Sequence, residues 1–221
     1  MKKLLTSVLL SATVLGAGLA VSSNANAAIL PDGAKTNATV SFKAGDGTKP
    51  IDPVDPTDPT KPPTDPGTGN PGNLAIVYAT QNVDFGENLA IPTKTTTIKS
   101  TKMVSLEVAD VRGNNAGWAL SVKADEFKSG SDVLKGAKIM IDKSDDVSVP
   151  DSAAETKIPV STPIADASTA SVALSAAKGT GSGMTIDNLA AGKIKLVVPN
   201  GSAAAQAYSS TMNWTLSDTP A

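Results

Sequence analysis

Near its C-terminal end the chain reads Tyr208-Ser209-Ser210-Thr211-Met212-Asn213-Trp214-Thr215-Leu216-Ser217. Side chains two apart on a β-strand project from the same face, so this pattern predicts a strand with Tyr208, Met212, Trp214 and Leu216 on its apolar face. The stretch Gly117-Trp118-Ala119-Leu120-Ser121-Val122 repeats the Trp-x-Leu spacing. Two strands that present the same aromatic and aliphatic pair can cover one apolar patch, which favours a β-fold that brings them together.

Residues 74–221 contain eight short segments rich in Val, Ile and Thr, separated by clusters of Gly, Pro, Asn and Asp. These predicted strands are Leu74–Ala79, Thr96–Ser100, Val104–Val111, Trp118–Lys123, Lys138–Lys143, Ala170–Ser175, Lys193–Val198 and Tyr208–Leu216. No segment sustains a helical period of 3.6 residues, and the Ala-rich patch over 202–207 is long enough for one helical turn at most. We therefore predict an all-β, two-sheet, β-sandwich-like domain over residues 74–221.

Two further segments precede that domain. Residues 28–49 alternate polar and apolar side chains over Thr36–Ala44, which predicts one strand that either pairs with the main domain, the reading we favour, or stays disordered. Residues 50–73 are rich in Pro, Asp and Gly, and proline stands near every third position from Pro50 to Pro66. That spacing predicts a semi-rigid polyproline II linker of about 50 Å.

The first 27 residues have the organisation of a secretory signal peptide. Lys2 and Lys3 precede an apolar run from Leu4 to Val21, and small residues follow it. We expect cleavage after Ala27 and no membrane span in the mature form, because the apolar run is diluted by Ser, Thr and Gly.

Composition excludes several classes of function. The 221 residues contain no histidine and no cysteine, which removes the commonest general base, the usual zinc ligands and a Ser-His-Asp triad. The net charge of −2 is scattered along the chain, so neither nucleic acid nor an anionic membrane is an expected partner. We expect no enzyme activity, no catalytic residue, no metal and no cofactor.

Three local patterns resemble catalytic or metal-binding motifs of other proteins, but each lacks features that the motif needs. Ser175 and Lys178 match the S-x-x-K spacing of penicillin-recognising enzymes without the companion motifs. Asp142, Asp145 and Asp146 cluster without the spacing of a calcium loop, so a solvated turn is the better interpretation. Glycosidase chemistry needs two acids across a cleft, and the sequence singles out no such pair.

The distal motif resembles that of small WxL-domain surface proteins of low-GC Gram-positive bacteria. That family has a first Trp-x-Leu and a distal pattern Tyr-x-x-x-aliphatic-Thr-Trp-x-Leu-x-x-x-Pro. The chain keeps this spacing from Tyr208 to Pro220, with Met212 at the aliphatic position and Asn213 at the Thr position. The resemblance extends to the N-terminal strand, the Asp-Pro-rich linker and Val83-Asp84-Phe85-Gly86.

The resemblance implies a secreted, non-enzymatic surface protein held noncovalently on the cell wall, with peptidoglycan or an associated wall polymer as ligand. The alternative is an assembly subunit that binds other surface proteins of the WxL locus, partner WxL proteins or WxL-binding proteins, through a β-strand or an aromatic face. The candidate wall- or partner-binding residues are Trp118, Leu120, Tyr208, Met212, Trp214 and Leu216. Since large aromatics in strands usually pack inward, we favour the interpretation that the two tryptophans are core pillars, which is compatible with binding if one edge of the patch stays exposed. We expect Tyr78, Phe85 and Phe127 in the core.

Overall fold

The computed structural model describes residues 36–64, 66–150 and 158–221. The predicted signal peptide and its cleavage site at Ala27 lie outside these residues. Of the described residues, 36–41 belong to one compact unit and Phe42–Ala221 belong to another.

Short strands make up the regular structure of the described residues. Their bounds are β1 Leu74–Ala79, β2 Thr96–Lys99, β3 Val104–Asp110, β4 Trp118–Ala124, β5 Lys128–Ser129, β6 Asp132–Val133, β7 Lys138–Ile141, β8 Val147–Ser148, β9 Val160–Ser161, β10 Ser171–Ala176, β11 Gly183–Leu189, β12 Ile194–Val198 and β13 Met212–Ser217. The Ala-rich patch over 202–207 forms no helix. No described segment is a helix with the length and apolar character needed to cross a membrane.

The strands form antiparallel sheets around one main core, which confirms the predicted all-β, sandwich-like fold. One sheet has the order β1-β3-β11-β8 and a second has the order β13-β4-β10-β9. A third sheet has three strands in the order β2-β12-β7 and contributes side chains to the same core. Strands β5 and β6 form a separate two-stranded sheet. Alternate side chains of β3, β4, β7, β10 and β12 meet in this core, and Phe127 lies there beside the half-buried Phe85 with ring centroids 6.3 Å apart.

The strand β3 is buried along all seven of its residues, which means that both of its faces are covered. Its inner side chains Val104, Leu106 and Val108 enter the main core. Its outer face lies under residues 50–64 and 66–68, here called the strap. Ile51 of the strap packs on a small apolar cluster of Ala75, Val77 and Ala109.

Hydrogen bonds fix the strap to this sheet. The Val54 N–H donates to Glu107 Oε2 at 3.1 Å, and Asn188 Nδ2 donates to the Pro56 carbonyl oxygen at 3.0 Å. At the edge of β1, the Thr68 N–H donates to the Val77 carbonyl oxygen at 2.9 Å. The prediction of a free polyproline II spacer is therefore wrong for the strap.

The Asp-Pro-Thr repeats explain the difference, because they form turns. The Asp58 N–H donates to the Asp55 carbonyl oxygen at 3.1 Å, and the Lys61 N–H donates to the Asp58 carbonyl oxygen at 2.9 Å. The Asp55 carboxylate also accepts hydrogen bonds from Thr57. Asp before Pro favours a tight turn, since Pro presets φ and the Asp side chain caps the backbone two residues on.

The strand predicted over Thr36–Ala44 does not form in the structure. Residues 36–46 have no regular secondary structure. Val40 is 78% exposed and Phe42 is 93% exposed.

Candidate functional site: the paired Trp-x-Leu strands

The fold places the two Trp-x-Leu motifs on neighbouring antiparallel strands. Leu216 of β13 is the register partner of Leu120 of β4, and Trp214 is opposite Val122. Residues directly opposite on antiparallel strands share a face, so both motifs direct their Trp and Leu side chains toward the main core. The predicted juxtaposition of the motifs is confirmed.

Trp118 is a structural residue of this pair. Its side chain is 0% exposed, and its Nε1–H donates to the Gly181 carbonyl oxygen at 3.0 Å. A buried indole needs such a partner, because an unpaired N–H in an apolar environment is costly. Leu120, two residues on, is also fully buried.

Gly181 is the residue that makes this indole pocket possible. A Cβ at this position would lie 2.5 Å from the Ala176 Cβ and 2.7 Å from Trp118 Nε1. Its φ of +69° also belongs to the left-handed region that side chains avoid. In the sequence, the Gly-rich stretch 179–183 is one of the clusters that separate predicted strands, and its alternating glycines are the only local signal of this role.

Strand β13 differs from β4 because it lies at the edge of its sheet. Its side chains alternate, with Met212, Trp214 and Leu216 half-buried against the core and Asn213, Thr215 and Ser217 exposed. The side chains of Trp118 and Leu120 are fully buried in the core, so neither has accessible surface for the predicted contact with the wall or a partner. The other candidates, Tyr208, Met212, Trp214 and Leu216, keep accessible surface along this edge.

The segment before β13 is held in place by polar contacts. Ser210 Oγ donates to the Asp125 carbonyl oxygen at 2.6 Å, and Asn213 Nδ2 donates to the Asp125 carboxylate at 3.2 Å. The Tyr208 hydroxyl accepts hydrogen bonds from the Ala204 N–H at 3.1 Å and from Gln206 Nε2 at 2.9 Å. These contacts fix the apolar row of Tyr208 and β13 in one orientation.

A groove of about 490 Å³ lies beside the end of β4, next to this anchored segment. Its charged lining residues are Lys123, Asp125, Glu126, Lys128 and Lys138. Both signs of charge are present, and Lys128 pairs with Glu126 at 3.3 Å. The groove therefore offers donors and acceptors to a polar, weakly charged ligand without selecting a strongly charged one.

Two buried acids were not recognised as special in the sequence. Burial raises the pKa of Glu107 to about 7 and the pKa of Asp187 to about 6. Glu107 is opposite Ile186 in the β3–β11 register, whereas Asp187 is opposite Leu106, so the two carboxyls point to opposite faces of the sheet. They cannot act together across one cleft as glycosidase acids do.

The remaining acidic and hydroxyl candidates have structural partners. Asp145 pairs with Lys193 at 2.6 Å and Asp142 pairs with Lys195 at 2.5 Å, which joins the loop after β7 to β12. Among the residues that the structure describes, no group of three metal-ligating side chains converges. Ser175 lies within β10, between Ala119 of β4 and Val160 of β9.

Comparison with known proteins assigns the family. A family model described as a surface, cell wall-binding WxL domain matches residues 31–220. This chain belongs to the WxL-domain family. No curated protein and no solved structure gives a significant match. The WxL assignment covers the strap as well as the strands, and it makes the molecule a cell-wall-binding protein of the cell surface.

Proposed function

We propose that this WxL protein is a non-catalytic surface protein that attaches noncovalently to peptidoglycan through the accessible side of β13. The observation that carries the proposal is the half-exposed apolar row of Met212, Trp214 and Leu216 on an edge strand. An indole with one buried side and one accessible side suits a sugar ring, because it can stack on the ring's C–H face without leaving the core.

Polar groups beside this row would set orientation. Asn213, Thr215 and Ser217 alternate with the apolar residues and are exposed. The groove next to β4 adds ammonium and carboxylate groups within the same region. A polymer that carries both sugar hydroxyls and short peptides with amino and carboxyl groups fits this mixture better than a purely anionic polymer.

A structural role without catalysis is supported by the composition and by the buried acids. The chain has neither histidine nor cysteine, and the two acids with raised pKa values face opposite sides of a sheet. These two acids therefore do not supply the paired acid and base that glycosidase-type hydrolysis needs.

A sedimentation assay with purified peptidoglycan tests the wall proposal. We expect the wild-type protein to pellet with the polymer at low and moderate salt. Trp214→Ala should weaken binding at least about tenfold while cooperative unfolding is retained, since it truncates the accessible ring. Val160→Ala is the matched control, because Val160 is a 59% exposed apolar residue at the opposite edge of the same sheet. Wild-type protein that stays in the supernatant would refute the proposal.

The second candidate function is that of an assembly subunit, and the edge of β13 favours it. Strand β13 pairs with β4 on one side only. A free strand edge can accept an extended segment through main-chain hydrogen bonds, as in β-augmentation. A variant that blocks the edge of β13 should then lose co-purifying surface proteins.

A further inference from the structure

We propose that residues 36–44 of one copy of this protein add as a strand to the free edge of β13 in a second copy. This inference rests on the assembly role proposed above, and the added strand would compete with peptidoglycan for the accessible side of β13.

The acceptor edge lacks the features that normally prevent strand addition. Every second residue of an edge strand directs its N–H and C=O groups away from the sheet. Among the described residues, no backbone hydrogen bond outside the β4 ladder engages β13. Natural edge strands are protected by lysine, proline, bulges or shortness, whereas β13 runs for six residues without a charge, a proline or a register shift.

The donor segment has the alternating polar and apolar pattern of a β-strand, but it forms no regular secondary structure. Residues 36–44 read Thr-Asn-Ala-Thr-Val-Ser-Phe-Lys-Ala, and Ala38, Val40, Phe42 and Ala44 share one face. The exposures of 78% for Val40 and 93% for Phe42 show that these apolar side chains are not covered. A monomer that leaves a valine and a phenylalanine exposed to water forgoes the stabilisation that apolar burial provides.

The donor is joined to the folded domain without a long tether. The Gly45 N–H donates to the Val111 carbonyl oxygen at 3.1 Å, directly after β3. A Cβ at Gly45 would lie 2.8 Å from both Asn73 Oδ1 and Val111 Cγ2, so the chain is closely packed at this point. Strand addition by residues 36–44 would therefore connect two domains through a short joint.

Donor and acceptor match in pattern on both faces. With Val40 and Phe42 on the core side, they would lie beside the half-buried Trp214 and Leu216 and cover their accessible surface. Ser41 and Thr39 would then lie beside the exposed Thr215 on the other face. Repetition of the contact from copy to copy is heterologous, so it produces a chain of molecules rather than a closed dimer.

Cross-linking tests the contact directly, because the chain contains no cysteine. Exported Ser41→Cys protein is mixed with exported Thr215→Cys protein and treated with a short bismaleimide. We expect a heterodimer band that exceeds either homodimer, since neighbouring strands place such side chains within reach. The double variant, which carries both Ser41→Cys and Thr215→Cys, provides the opposite outcome. Cross-links that form only within one chain of this variant would overturn the proposal.

Sedimentation equilibrium with edge variants provides the second measurement. The wild-type protein should self-associate with concentration, and Thr215→Lys or Phe42→Asp should raise the dissociation constant at least about tenfold. Thr97→Lys, at an exposed position of β2 outside the proposed contact, is the matched control that keeps association. Wild-type protein that stays monomeric, or association that Thr215→Lys leaves unchanged, would overturn the proposal. If the wild-type protein is monomeric and co-purifies with a different protein that the Thr215→Lys variant no longer binds, the assembly role stands, and only the choice of a second copy as the partner is wrong.

Discussion

Trp118 and Trp214 begin two copies of the same Trp-x-Leu motif, yet their environments differ. Trp118 is enclosed beside Gly181 with its N–H bonded, whereas Trp214 lies on an edge strand and keeps one accessible side. The shared face of both motifs was predictable from the spacing of two residues. Which motif lies at the sheet edge was not, because strand order depends on long-range pairing that the local pattern does not encode.

Glu107 is the residue that most directly links the core to solution pH. It is fully buried, its Oε2 accepts the Val54 N–H, and no hydrogen bond reaches its Oε1 from the described residues. Desolvation raises its pKa to about 7, the Val54 N–H opposes that rise, and the charge of Asp55 in the strap adds to it.

The folded protein should therefore lose stability as pH rises from about 4.5 to above 7. Over that range the folded state binds more protons than the unfolded state at Glu107, and Asp187 adds to the effect up to about pH 6. Carboxylates such as Asp145, whose pKa is lowered by the Lys193 ammonium, stay ionised throughout. Urea midpoints at pH 5 and pH 8 measure the change.

The variant Glu107→Gln should reduce that pH dependence, because its amide stays neutral. Asp145→Asn, at an exposed position with a lowered pKa, is the control that leaves it intact. A wild-type midpoint that rises between pH 5 and pH 8 would contradict the assignment of Glu107 as a buried neutral acid.

At the scale of elements, strands rich in apolar residues were predictable, including β3, which is covered on both faces. Segments that alternate, such as β1, β7 and β12, match the predicted strands closely. Strand β11 was missed because it carries Thr185, Asp187 and Asn188 at buried positions. Buried polar residues remove the apolar pattern by which a strand is recognised. One of them, Asn188, donates from its side-chain amide to the Pro56 carbonyl oxygen of the strap and to the Asp146 carboxylate of the neighbouring loop.

The strap is the element whose structure departs most from the sequence-based expectation. Proline periodicity alone predicts an extended spacer, and only the tertiary contacts of Ile51 and Val54 turn it into a cover for β3 and β11. Glu107 beneath it gave no signal in the sequence, since an acid in a strand is usually solvated.

Removing one backbone donor of the strap tests this docking. Val54→Pro deletes the N–H that Glu107 Oε2 accepts, leaving the buried carboxyl without that partner. We expect a loss of about 1–3 kcal/mol in the free energy of unfolding and faster hydrogen exchange in the strap. Lys61→Ala is the control within the same segment, because it breaks only the exposed ion pair with Asp58 and should cost less than about 1 kcal/mol. Equal stability of the two variants would show that the strap is not held through Glu107.

At the scale of the whole molecule, the sheets convert two similar sequence motifs into a support and a contact surface. The buried motif of β4 positions β13, and β13 presents the half-exposed row proposed to meet peptidoglycan. Fold class and the pairing of the motifs followed from the sequence, because both depend on a period of two residues and on turn residues. The exposure of each tryptophan could not be predicted without the strand order.

Acrylamide quenching of single-tryptophan variants most directly tests whether Trp118 is a buried support and Trp214 a contact residue. In Trp118→Phe protein the remaining Trp214 should be quenched readily, and saturating soluble peptidoglycan fragments should reduce its quenching at least about twofold. In Trp214→Phe protein the remaining Trp118 should resist quenching with and without the fragments, since its side chain is fully buried. Equal quenching of the two indoles, or quenching of Trp214 that the fragments leave unchanged, would contradict the account.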